Sequence, residues 1–138
     1  MDYQEISKKT VGYLYQAHAS IRNSEIDNKL IALAELRISQ LNGCSYCCSF
    51  HANELREMGI ETSLIDKIPG YQHSVSFDHQ QVLVLRWADA VTGLTADMEL
   101  VLKELKKEFS EKEIVELTSS ISLMNALNRL RISLGDQF

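Results

Sequence analysis

Along most of the chain, apolar residues recur at intervals of three and four instead of alternating, which is the period of a helix with a buried face. From Tyr3 to about Ala19 the pattern predicts one helix with Ile6, Val11, Leu14 and Tyr15 available for burial. Ser24 is placed to cap a second helix running to about Leu41, whose Leu30, Ile31, Leu33, Leu36, Ile38 and Leu41 are dense enough to be buried on more than one side. Asn42–Gly43 stops it, because glycine tolerates the left-handed backbone of a helix C-terminus. A third helix is predicted from near Cys44 to Gly59, and a short one over Glu61 to Lys67, ended by Pro69–Gly70 with a loop from Tyr71 to Ser76. Ser76 or Asp78 caps a helix reaching Val91, with Asp78 and Gln81 at capping-box spacing, and Thr92–Gly93 breaks it. Thr95 starts another, with Met98, Val101, Leu102, Leu105 and Phe109 on one face. Ser110 and Glu113 box the start of the last, striped by Ile114, Leu117, Ile121, Met124, Leu127 and Leu134. The expected architecture is an all-α bundle of about six to seven helices.

Composition agrees with this reading and narrows the function. The chain has 138 residues, so residues 1–138 are expected to form a single domain. With 6 Gly and only 1 Pro it has few turns to spend on short strands. Its formal net charge of -5 makes it a poor counterpart for nucleic acid, and the lysines of Lys103–Lys107 are interleaved with acid as on a solvated helix face. No run approaches the ~18–20 apolar residues of a membrane span. The first residues, Met1 to Glu5, lack the basic-then-apolar pattern of a signal peptide, so a cytoplasmic protein is expected. There, 3 cysteines bunched in one segment are not a disulfide framework but point to reactive thiols or a metal site.

That segment is Asn42–Gly43–Cys44–Ser45–Tyr46–Cys47–Cys48–Ser49–Phe50–His51. Cys44 and Cys47 make a C-x-x-C, and His51 follows Cys47 by four, so on a helix the three line one edge. Cys44 sits where free N–H groups and the helix dipole favour a thiolate, while His51 can act as base toward Cys47. A thiolate beside a second thiol is what a redox-cycling pair requires. Cys48 points about 100° away from Cys47 and reads as a buried structural thiol. Zinc is the rival reading, with Cys44, Cys47 and His51 as three ligands. His18, His73 and His79 are scattered singly and offer no second ligand pair, so no metal and no cofactor is predicted.

The stretch Leu36 to Cys47, then His51, Arg56 and Gly59, resembles the core of the carboxymuconolactone decarboxylase superfamily, in particular its AhpD-like alkylhydroperoxidase branch with the motif C-x-x-C-x-x-x-H. Trp87 to Thr92 and Asn125 to Leu130 are similar to later parts of that family. The resemblance implies an AhpD-like all-α fold, a homo-oligomer (commonly a trimer or hexamer) and thiol-dependent reduction of a hydroperoxide, recycled by a dithiol reductant. It implies Cys47 as the peroxidatic thiol, Cys44 as the resolving one and His51 as a proton relay, although helix-terminus reasoning alone favours Cys44 as the more acidic. Peroxidase members often carry a Glu twelve residues before the first motif cysteine, and here that position is Ala32. Glu35, three residues on, shares the helix face and is the candidate replacement, unless it is a surface charge beside Arg37. Asp89 is a second candidate acid.

Three functions are therefore open. The first is an antioxidant thiol peroxidase or disulfide reductase using Cys44, Cys47, His51 and Glu35. The second is a decarboxylase or other proton-transfer enzyme of the carboxymuconolactone decarboxylase type, which the absence of an obvious Arg cluster disfavours, although Arg37, Arg86 and Arg129 could converge in space. The third is a non-catalytic oligomer that binds zinc or senses redox state.

Overall fold

A computed structural model describes all 138 residues. It contains eight α-helices and one 3-10 helix, and no strand. In chain order the α-helices are α1 Tyr3–Ile6, α2 Lys8–Arg22, α3 Asn28–Asn42, α4 Ser45–Glu57, α5 Thr62–Asp66, α6 His79–Gly93, α7 Met98–Glu108 and α8 Glu111–Leu134; the 3-10 helix, Ile68–His73, lies between α5 and α6. No helix is long and apolar enough to cross a membrane.

The architecture is organised around α3, which packs on α4, α6 and α8. Its residues explain this position: Leu30 through Leu36 are all buried, as are Ile38 and Ser39, so every side of its first half needs a neighbour. Ile31, Ala34 and Ile38 join a core with Leu83 and Trp87 of α6, Leu105 of α7, and Leu117 and Ile121 of α8. Ala32, Leu33 and Leu36 join a second core under the α4–α6 connection, with Leu55, Ile65, Ile68 and Tyr71. The stripe expected on α7 is present: Val101, Leu105 and Phe109 are buried, with Met98 and Leu102 packed against them.

Several boundaries differ from the sequence reading. The first predicted helix is two, broken at Ser7 (φ -121°, ψ 53°), and the break turns Tyr3 inward while Ile6 faces out at 74 % exposure. Tyr15 is likewise exposed along part of its ring, at 42 %. α3 is capped by Asp27, whose carboxylate accepts from Lys29 N at 2.8 Å; Ser24 spends its hydroxyl on the Ile21 carbonyl, closing α2 instead. Pro69 opens a 3-10 turn where its missing N–H is not needed, Gly70 breaks that turn with non-helical φ -113° and ψ 24°, and a second turn follows through His73 where a loop was expected. α6 runs past Thr92 to Gly93 and is closed by Leu94 in the left-handed region. Both capping boxes, Asp78/Gln81 and Ser110/Glu113, are formed. Leu134, the last residue of α8, is exposed and lies outside the stripe's buried portion.

Gly43 is the joint that positions the functional segment. It closes α3 with φ 69° and ψ 29°, its N–H bonded to the Gln40 carbonyl and that of Cys44 to the Ser39 carbonyl at 3.0 Å. The chain thereby reverses onto α4 within two residues. Open space surrounds the position of a Cβ there, so Gly43→Ala tests the backbone conformation alone. It is expected to cost about 1–2 kcal/mol, read by chemical denaturation with an unchanged slope.

Candidate active site

α4 begins at Cys44, whose extended backbone and Sγ cap the helix: Sγ accepts from Cys47 N at 3.3 Å. Cys44 and Cys47 are joined as a disulfide, with their Cα atoms 5.2 Å apart. The two sulfurs are not equivalent. Cys44 is fully buried, whereas Cys47 borders a cavity of about 110 Å³ together with His51 one turn further along α4. The helix-terminus effect reaches Cys44, but access belongs to Cys47. Cys48 remains a free thiol on another side of α4; it is half-buried against Leu36 and Ala52, and burial pushes its pKa up.

Behind His51 lies a buried charge cluster. Glu35 is fully buried in α3 and is no surface charge. Its Oε2 accepts from Arg22 of α2 at 2.8 Å and lies 3.3 Å from His51 Nδ1. Its Oε1 accepts from Ser120 of α8 at 3.1 Å, and His18 Nε2 stands 3.1 Å from it without an aligned hydrogen bond. Glu54, one turn beyond His51, completes the set: Oε1 accepts from Arg22 at 2.8 Å and lies 3.4 Å from His51 Nδ1. Burial alone raises a carboxyl pKa, but His18, His51 and Arg22 together hold Glu35 below the usual range. For Glu54 the same opposition resolves at about 2, with His51 and Arg22 outweighing burial. Arg22, between two carboxylates, is raised against the cost of its own burial.

The structure thus brings Cys44, Cys47, His51 and Glu35 into one region. Ala32 is fully buried among apolar residues, and Glu35 approaches His51 from one helical turn further along α3. Asp89 is elsewhere: it accepts from Arg37 Nε at 2.7 Å and from the Tyr71 hydroxyl at 2.6 Å, and tethers α3 and the 3-10 helix to α6. Arg37 therefore serves Asp89 and not Glu35, Arg86 faces Glu104 and Arg129 bonds Asn125, so the three arginines have no common target. The sequence reading missed Arg22, Glu54 and Ser120 and dismissed His18 as scattered. Glu54 alone had a local signal, three residues after His51 on the same helix.

Glu35, His51 and Glu54 also place ligand atoms within 4.8 Å of one another, close enough for a metal ion. Arg22 donates to both carboxylates and supplies the positive charge itself, so the set is closed without a metal. In the disulfide form Cys44 and Cys47 offer zinc no thiolate pair.

Two consequences are measurable. The pairing of Glu35 and Glu54 lowers their pKa values on folding, so its stabilisation is full above the ordinary carboxyl value of 4.5 and fades as pH falls toward about 2. The thermal midpoint is expected to drop through that window, and Glu54→Gln is expected to flatten the drop. Arg22→Met leaves two carboxylates without their shared cation and is expected to cost about 3–5 kcal/mol in urea unfolding at neutral pH.

Comparison with known proteins agrees with this geometry. Residues 5–90 match the model of the Carboxymuconolactone decarboxylase family. The chain is 21% identical over 139 residues to the uncharacterized protein YdfG of Bacillus subtilis, covering 99% of this chain and 95% of that one. It is 31% identical over 118 residues to an uncharacterized Mycobacterium tuberculosis protein, a match that takes in 85% of this chain but only 41% of the relative's length. A crystal structure of an Agrobacterium tumefaciens protein of unknown function, described as a candidate antioxidant defence protein AhpD, superposes with a TM-score of 0.88 at 27% identity, over 99% of this chain and 97% of the other. The chain belongs to the carboxymuconolactone decarboxylase family and has the AhpD-like all-α fold.

Proposed function

We propose that this protein is an antioxidant thiol peroxidase that reduces organic hydroperoxides with the Cys44–Cys47 pair and is recycled by a separate dithiol. One observation carries the reading: a disulfide with one sulfur bordering a cavity, beside a histidine backed by a buried carboxylate. In the reduced protein, the Cys47 thiolate attacks the terminal peroxide oxygen, the O–O bond breaks, and the alkoxide leaves as the alcohol after taking a proton. Cys47 becomes a sulfenic acid. The Cys44 sulfur then attacks Cys47, forming the disulfide and releasing water. Two thiols are oxidised by two electrons and the hydroperoxide becomes alcohol plus water. A dithiol donor, protein or small molecule, reverses the disulfide by two exchange steps.

In this cycle His51 relays protons at the sulfur, and Glu35 positions its ring, replacing the acid absent at Ala32. The same reading places all of residues 1–138 in one domain, in a cytoplasmic setting that supplies dithiols, and in a homo-oligomer of trimeric or hexameric order. A proton-transfer role on a lactone-like acid has less support, since Arg37, Arg86 and Arg129 face different partners.

Thiol counting tests the proposal. The reduced protein is expected to show its 3 thiols, falling to one after a single equivalent of cumene hydroperoxide and returning on reduction. Cys47→Ser is expected to abolish turnover, and Cys44→Ser to stop at a sulfenic acid that dimedone traps. His51→Ala is expected to slow turnover about 100-fold. A thiol count that hydroperoxide leaves unchanged refutes the proposal, and activity that survives Cys44→Ser favours proton-transfer chemistry.

A further inference from the structure

The wall of the cavity beside Cys47 is aromatic and apolar: Tyr3 from α1, Tyr15 from α2, Tyr46 and Phe50 from α4, and Met124 and Leu127 from α8 contribute to it. Into this wall α8 also inserts Arg131. No carboxylate lines the cavity, and Arg131 forms no ion pair with any acid of the chain. Its side chain donates no hydrogen bond within the protein either, and Gly135 and Gln137 bond only to its backbone carbonyl.

The guanidinium is nevertheless held in place. It stacks over Tyr46 with its carbon 4.1 Å from the ring centroid, and its carbon is 5.6 Å from the centroid of the buried Tyr3. Stacking uses the face of the guanidinium and leaves its N–H edge free. In a chain of net charge -5, this is a fixed cation with unspent donors, sharing a cavity wall with Cys47 and His51. A planar N–H fork with no partner matches a carboxylate.

Resting on the peroxidase reading, we infer that the substrate is a small organic hydroperoxide with an apolar body and a carboxylate, and that Arg131 binds the carboxylate while the peroxide group meets Cys47. A cavity of about 110 Å³ has room for about four waters at roughly 30 Å³ each, or as many methylene groups, so the apolar body is a short chain. In this pose Arg131 holds the end of the substrate opposite the peroxide group, so it acts on binding. The products are the corresponding hydroxy acid and water.

The test compares 6-hydroperoxyhexanoate with hexyl hydroperoxide, using wild type, Arg131→Gln and Arg131→Lys, recycled by dithiothreitol. Wild type is expected to favour the acid by about tenfold in kcat/KM at low salt. Arg131→Gln is expected to abolish that preference through a raised KM for the acid, and Arg131→Lys to restore part of it. High salt is expected to weaken the preference in wild type only. Equal rates for the two substrates in wild type, or an equal loss for both in Arg131→Gln, overturns the inference. Thermal shift of the oxidised protein with hexanoate or hexanol separates the two proposals. If neither hydroperoxide is turned over, the peroxidase reading fails, and Arg131 as a carboxylate site stands only if hexanoate stabilises wild type but not Arg131→Gln. Stabilisation of both proteins, or of neither, overturns it.

Discussion

The structure depends on how one ionised carboxylate is kept in the interior. Glu35 is fully buried on the helix that α4, α6 and α8 all pack against. A bare carboxylate there would cost several kcal/mol, so the fold has to bring compensation to it. It comes from three directions: Arg22 and His18 from α2, Ser120 from α8 and His51 from α4. The relative placement of four helices is thus tied to one side chain. Replacing the whole cluster with apolar residues of similar size would satisfy stability alone at little cost. What that replacement would remove is the orientation of His51. Its Nδ1 faces two carboxylates, Glu35 at 3.3 Å and Glu54 at 3.4 Å, and carboxylates only accept. Nδ1 must therefore carry the proton, and the other ring nitrogen is left for chemistry.

The disulfide is located by a second, backbone-level constraint. Gly43 reverses the chain in a left-handed conformation, and Asn42 beside it donates to Asn125 at 2.9 Å and to Asn128 at 3.1 Å, both on α8. Asn128 in turn donates to Ser39, which caps back onto the Glu35 carbonyl. The end of α3 and the C-terminal half of α8 are therefore locked together by side-chain hydrogen bonds, with Asn42 two residues before the disulfide. The two asparagines of α8 matched the family pattern as sequence; in space they anchor the turn that presents Cys44.

Much of the fold was legible because helix periodicity and capping are local. The dense apolar run of α3 announced burial on several sides, and both capping boxes formed where their spacing put them. Local rules failed where a distant partner decided the outcome. Ser7 interrupts the first helix so that Tyr3 can reach Arg131 at the other end of the chain, and Ile6 is turned outward as a result. Within the site, Cys44, Cys47 and His51 share one helix and were read from spacing, and Glu35 from its offset to Ala32. Arg22, His18 and Ser120 reach Glu35 from other helices, and no interval in the sequence encodes that meeting. Asp89 looked like a spare acid for the same reason: its partners Arg37 and Tyr71 are supplied by other elements.

Three cysteines within five residues end up in three environments, and this difference is what makes a directed cycle physically possible. Cys44 caps α4 and is sealed from solvent, so a bulky oxidant reaches it only through its neighbour. Cys48 is shifted by one residue, which turns it toward the second core, where burial disfavours the thiolate. Cys47 alone combines access to the cavity with the imidazole one turn away. A helix separates adjacent side chains by about 100°, so a run of cysteines on α4 cannot all face one cavity. The proposed order of attack by Cys47 and closure by Cys44 matches these positions on the helix, and Cys48 faces away from both.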